Sequence, residues 1–296
     1  MRRTARIIIP LLLLASCGDA PRDTAGDNPP PSPLVYEIAS ADGIAEGWLI
    51  GTIHALPSGT QWRTPAIARI IDEADLLVVE IAGLENGSAI ASTFAALART
   101  RGQPLLAERL PPDLRPQLET LIERGSLNEA SFADTETWAA AIALARVDAT
   151  GDPANGVDRA LIEAFSGRPV RELEGAPAQL AIFDRLTEAQ QRTMLASVVR
   201  ESERTRKDPT RLQRAWLAGD SVVIEQSTQE GFLADPVLRE ALLTGRNRRW
   251  ASALAPVLAK APRPLIAVGT AHLVGPDGLA ALLAAQGYRI RRLSPP

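Results

Sequence analysis

The chain has only two histidines, and each closes the same pattern: Gly51-Thr52-Ile53-His54 near one end and Gly269-Thr270-Ala271-His272 near the other. With 21 glycines in 296 residues, a Gly-Thr pair is expected at about one position in two hundred, so its presence before both histidines argues for a shared environment. Each pattern follows or ends an apolar run, Gly47 to Gly51 and Pro264 to Gly269, that reads as a buried strand. A third run of this kind, Asp75 to Ile81, carries Glu80 near its end. Between the first and third runs, Thr64-Pro65 supplies a helix N-cap and a proline for the first turn, ahead of Ile67, Ile70 and Ile71 at helical spacing. Beyond the last run, Pro276 to Gln286 reads as a helix and Tyr288 to Leu293 as a strand. Both ends of the body therefore read strand, helix, strand. The fold class this predicts is α/β, with a central mixed sheet built from the two terminal segments around a large helical middle region.

In that middle, Pro111 to Arg124 reads as a helix closing at Gly125, and Trp138 to Val147 as a buried helix, apolar nearly all round. Thr187-Glu188-Ala189-Gln190 has the form of a capping box that opens a helix running to about Lys207, where Asp208-Pro209 ends it. Further helices are expected over Thr210–Ala218, Ser221–Gln229 and Gly245–Lys260.

The N-terminus reads as an address rather than a fold. Arg2, Arg3 and Arg6 precede the apolar run Ile7 to Ala15, which is too short to span a bilayer and has the layout of a secretory signal. Leu14-Ala15-Ser16-Cys17 is similar to a bacterial lipobox and gives the single cysteine a purpose, lipidation. Residues 1–16 are expected to be a removable leader, 17–33 a proline-rich tether, and 34–296 the folded α/β domain. The expected setting is the bacterial cell envelope, with Cys17 lipid-anchored to a membrane and the body facing the periplasm or the exterior.

Composition then narrows the function. Net charge is −3, with aromatics at 4%, which leaves no basic aromatic surface for nucleic acid. A lone cysteine excludes disulfide frameworks and multi-cysteine metal clusters. The sequence also lacks a Gly-x-Ser-x-Gly elbow, a phosphate loop, a dinucleotide fingerprint and a His-Glu-x-x-His helix. What remains are two imidazoles at the carboxyl ends of strands, where ligands bind in open α/β sheets. Gly51 and Gly269 let the backbone turn tightly there and let a ligand approach. Two neutral imidazoles would offer nitrogen donors to a divalent metal such as Mn, Co or Zn, and Glu80, a carboxylate in an apolar strand, would complete the set or act as a general base beside it. Such a site suits hydrolysis of an amide or ester.

With these residues in place, the chain resembles the TraB/GumN family, which includes the Tiki metalloproteases. The resemblance rests on the two Gly-x-x-His motifs, the Glu closing the second strand, the central Gly156-Val157-Asp158 and the pair Arg246-Asn247, and it covers about Leu34 to Leu293. It implies an α/β domain with a divalent-metal site at His54, His272 and Glu80, and peptidase chemistry of the kind found in the Tiki branch. In that frame Asp158 would orient a ligand histidine or join the metal. Arg246 would steady an oxyanion or a substrate carboxylate, with Asn247 beside it in a supporting role. Where family members commonly carry Leu-Glu-Thr, this chain has Leu173-Glu174-Gly175, which keeps Glu174 and loses the threonine. The resulting expectation is a metal-dependent envelope hydrolase acting on a peptide or protein substrate. The alternative is a non-catalytic envelope protein that binds metal, haem or a small ligand through the same histidines.

Overall fold

A computed structural model of the protein describes residues 30–260 and 263–293. The expected leader, Cys17 and most of the expected tether lie outside the described residues. Of the tether only Pro30–Pro33 is described, and there the Ser32 N–H already donates to the Leu217 carbonyl at 2.7 Å.

Six strands form one mixed sheet: β1 Val35–Ala39, β2 Ala45–Thr52, β3 Leu76–Val79, β4 Val170–Glu172, β5 Pro264–Gly269 and β6 Arg289–Arg292. Their spatial order is β4-β3-β5-β2-β1-β6. β4, β3, β5 and β2 run parallel, and β1 is antiparallel to both of its neighbours. The two ends of the chain do share the sheet, since β5 lies between β2 and β3 and pairs Thr52 with Gly269.

The continuous apolar runs arise because the central strands are covered on both faces. Leu49, Val78, Ile266 and Val268 point to one side, onto Trp250, Leu254 and Leu258 of the helix Gly245–Leu258 and onto Leu279 and Leu283 of the helix Leu279–Ala285. Trp48, Ile50, Leu77, Val79 and Leu265 point to the other, onto Ile67, Ile70 and Ile71 of the helix Pro65–Glu73 and onto Leu161 and Phe165 at the helix Val157–Ala164. The helical middle has its own core. There the helix Thr137–Ala145 packs on the helix Glu188–Lys207 with Leu118, Leu121 and Leu144 buried between elements.

The signals read in the middle hold where they are local. Thr64 accepts from the Ile67 N–H, and both bonds of the Thr187–Gln190 capping box form. Helix starts shift where backbone geometry intervenes. The segment expected from Pro111 opens as a 3₁₀ turn, Pro112–Leu114, and is α-helical from Arg115 to Arg124. The helix expected from Pro276 begins at Leu279, because Gly275 takes φ +77° and turns the chain first.

Leu49 is fully buried in β2. Leu49→Ala is expected to lower stability by about 2–5 kcal/mol in urea unfolding, through lost transfer energy and the cavity left behind. Leu212→Ala, at a side chain 47% exposed, is expected to stay within about 0.5 kcal/mol of the parent.

Candidate functional site

The carboxyl ends of four adjacent parallel strands each release one candidate residue: His54 after β2, Glu80 after β3, Glu174 after β4 and His272 in the 3₁₀ turn Thr270–His272 after β5. The strands place these residues side by side, and the two Gly-Thr-x-His segments touch. A Cβ on Gly51 would lie 2.5 Å from Thr270 Oγ1 and 2.9 Å from Thr270 Cβ, so only glycine lets the second motif seat against the first. Gly269 marks where the side chains meet. A Cβ built on it would be 3.2 Å from Glu80 Oε1, 3.7 Å from His272 Cδ2 and 3.9 Å from His54 Nε2. The two imidazoles from opposite ends of the chain and the strand-end carboxylate thus surround a single point.

Each ring is held from behind. The His54 Nδ1–H donates to Asp158 Oδ2 at 2.8 Å, and the Thr52 hydroxyl donates to Asp158 Oδ1 at 2.6 Å. Asp158 sits in the first turn of the helix Val157–Ala164, where exposed N–H groups favour a carboxylate. The Val157 N–H donates to the Ile53 carbonyl at 2.9 Å, fastening that helix to the His54 loop. A Cβ on Gly156 would approach His54 O to 2.4 Å, which explains the glycine of Gly-x-Asp by close approach. On the other side, His272 Nδ1 lies 2.5 Å from Asn247 Oδ1, and Asn247 Nδ2 donates to the Asp277 carbonyl at 2.8 Å. The carbonyl oxygen of Asn247 only accepts, so the His272 proton is on Nδ1 and the lone pair on Nε2.

Arg246 joins the set from the first turn of Gly245–Leu258, directly after a π-helical turn, Glu240–Thr244. Its Nη2 donates to Glu80 Oε2 at 2.7 Å and to Glu174 Oε2 at 2.8 Å, and its Nε faces both Glu174 oxygens at 3.1 Å. Nη1 donates to the Leu242 carbonyl and faces His272 Nε2, both at 3.2 Å. Glu80 is further held by the Gly269 N–H at 2.7 Å and by Gln179 Nε2 at 2.8 Å. Every residue singled out in the sequence around the two histidines therefore belongs to one cluster: Gly51, His54, Glu80, Asp158, Glu174, Arg246, Asn247, Gly269 and His272. Thr52, Gln179 and Trp250 belong to it as well. Trp250 lies one helical turn beyond Arg246, beneath its guanidinium at 4.5 Å and against the His272 ring at a 4.5 Å centroid distance. Helical spacing from Arg246 marks Trp250, and Thr52 is inside the motif, but nothing in the sequence around Gln179 distinguishes it.

The environments divide the two imidazoles. Asp158, by hydrogen bond and by charge, raises the pKa of His54 from 6.5 to about 9, so at neutral pH this ring is an imidazolium rather than the neutral donor expected. Burial lowers His272 from 6.5 to about 4 and keeps it neutral. Burial alone would raise Glu80. The Arg246 guanidinium, the Gly269 N–H and the His54 imidazolium pull the other way, and the carboxyl is held below its usual range. Among the described residues, no group of three or more His, Cys, Asp and Glu side chains is disposed to hold a metal as the side chains stand. Arg246 reaches two members of the expected set, Glu80 and His272.

The model of the TraB/PrgY/gumN family matches residues 34–292. No curated protein matches the chain, and no solved structure does.

With only two histidines, proton NMR of the metal-free protein reads both rings. One midpoint is expected near 9 and one near 4, and Asp158→Asn is expected to bring the upper one down towards 6.5 without moving the lower. Two midpoints both near 6.5 would contradict this. The linked stabilities have opposite signs. The contribution of His54 is complete below 6.5 and is lost as pH rises through about 9. Buried His272 makes the fold less stable as pH falls from 6.5 towards about 4, because the unfolded chain takes up a proton that the folded ring refuses.

Proposed function

From the premise that the chain belongs to the TraB/PrgY/gumN family, we propose that it is a metal-dependent hydrolase that cleaves peptide bonds at the carboxyl edge of its sheet. The observation that carries the proposal is the paired support of the imidazoles. Each is tied back through Nδ1 to an acceptor, Asp158 or Asn247, and both rings close on Gly269 beside Glu80. Metal-ligating histidines are oriented in this way. The donor chemistry fits a divalent ion, with two imidazole Nε2 atoms and one carboxylate, and His54, His272 and Glu80 would hold it. When bound, Mn, Co or Zn would supply a water of lowered pKa and polarise the scissile carbonyl.

The protein groups divide the remaining work. Asn247 fixes the tautomer of His272, and burial keeps that ring neutral, so its Nε2 lone pair is present throughout the neutral range. Asp158 retains the Nδ1 proton of His54 and aims Nε2 into the site; the second proton of the imidazolium must leave before Nε2 serves as a donor. Glu80 accepts from Gly269, Arg246 and Gln179 and is held ionised, which suits a ligand better than a general base poised near neutrality. Arg246 would face a developing oxyanion or a substrate carboxylate after its Nη1 leaves His272 Nε2. The proposed setting is the bacterial envelope, with Cys17 lipidated, as the leader-like N-terminus suggests. Among the described residues no helix is long and apolar enough to cross a membrane.

The test is turnover on a peptide library with added Mn, Co or Zn. Cleavage is expected to stop on chelation and to fall at least about hundredfold in kcat/KM with His54→Ala or Glu80→Gln. Asp158→Ala and Asn247→Ala are expected to weaken metal binding roughly 10- to 100-fold by calorimetry. Metal uptake without cleavage of any peptide or ester would instead support a binding protein using the same histidines.

A further inference from the structure

The guanidinium of Arg246 makes full use of its five N–H groups. Nε–H goes to Glu174, the Nη2 pair to Glu80 and Glu174, and the Nη1 pair to the Leu242 carbonyl and to His272 Nε2. The Arg246 and Glu80 side chains are only 8% and 9% exposed, and Glu174 is 10% exposed. Two carboxylates at such burial are costly unless a cation sits between them. Arg246 is that cation in the metal-free protein, and Trp250 supports it from below. It also takes acceptors that the proposed metal needs. A neutral imidazole whose Nδ1 carries the proton has a single lone pair, on Nε2, so His272 serves either Arg246 or a metal and never both. Glu80 is less restricted, yet its Oε1 already accepts from Gly269 and its Oε2 from Arg246 and Gln179.

Resting on the metal-site reading above, we propose that Arg246 is a tethered counter-cation that competes with the metal for His272 Nε2 and Glu80. Loading the site is then an exchange of one cation for another. Glu174 is the positioning residue for that exchange. It meets Arg246 through Nε and Nη2, and the Leu242 carbonyl meets Nη1, so the guanidinium keeps a berth after it leaves His272 and Glu80. Without metal, Arg246 offsets part of the buried negative charge of Glu80 and Glu174, and the metal binds more weakly than the same donors would bind it alone.

Competition is separable from simple charge repulsion by Arg246→Lys, which retains the positive charge and loses the planar fork. Zinc is titrated calorimetrically into EDTA-stripped wild type, Arg246→Lys, Arg246→Gln and His272→Ala, with Tm measured in EDTA and in zinc. Both Arg246 variants are expected to bind zinc at least tenfold tighter than wild type. The Tm of Arg246→Gln is expected to fall in EDTA and recover in zinc, with a larger zinc-induced rise than wild type shows. Arg246→Lys binding like wild type would overturn the proposal and leave Arg246 as a mere repelling charge. Equal or weaker binding by both variants would overturn it while leaving the metal site intact. Unchanged affinity in His272→Ala would overturn it too, by removing the contested donor. No zinc binding by any form would defeat the metal-site reading itself.

Discussion

The parallel pairing of β2 with β5 is the contact on which the site depends. It brings together segments from the two ends of the domain, and it works only because Gly51 leaves room for Thr270 and because Thr52 falls opposite Gly269. A one-residue slip in that register would turn every side chain to the opposite face and send His54 away from His272. The register is fixed by burial on both sides, with Leu49 and Ile266 facing one layer of helices and Trp48, Ile50 and Leu265 the other. The packing of the core and the geometry of the site are therefore set by the same set of contacts.

Around that contact the charges are sorted by environment. His54 stands in the open mouth of the site, its side chain 73% exposed, and takes a proton from the pull of Asp158. His272 lies beneath Trp250, and burial keeps it neutral. Glu80 and Glu174 share one guanidinium. Two histidines in matching tetrapeptides thus arrive in opposite protonation states. The difference comes from Asp158, an ionised acceptor behind one ring, and from the burial of the other.

Much of this was legible in the sequence, because the signals were local or repeated. The runs ending at Gly51, Ile81 and Gly269 became strands since strands buried on both faces need unbroken apolar stretches. Thr64 and Thr187 announced their helices through bonds made within one turn. What the sequence did not reveal lacked such a signature. β1 sits against the short, largely exposed β6, and β4 is a three-residue edge strand, Val-Arg-Glu, with no apolar run to betray it. The helix Gly87–Leu97 has no buried residue, so no apolar stripe marks it. The same limit applied in the site. The motif residues were found because they recur or match a family, but Gln179 reaches Glu80 only through tertiary folding, and the protonation of His54 follows from Asp158, more than a hundred positions away.

β5 is one of the two inner strands of the parallel group, and its first residue is Pro264. During synthesis the chain is nearly complete before the slot between β2 and β3 is filled. Until then His54 and Glu80 flank a gap, and the only strand able to close it brings His272 with it. A nascent or C-terminally clipped copy therefore lacks an inner strand of its sheet and His272 together.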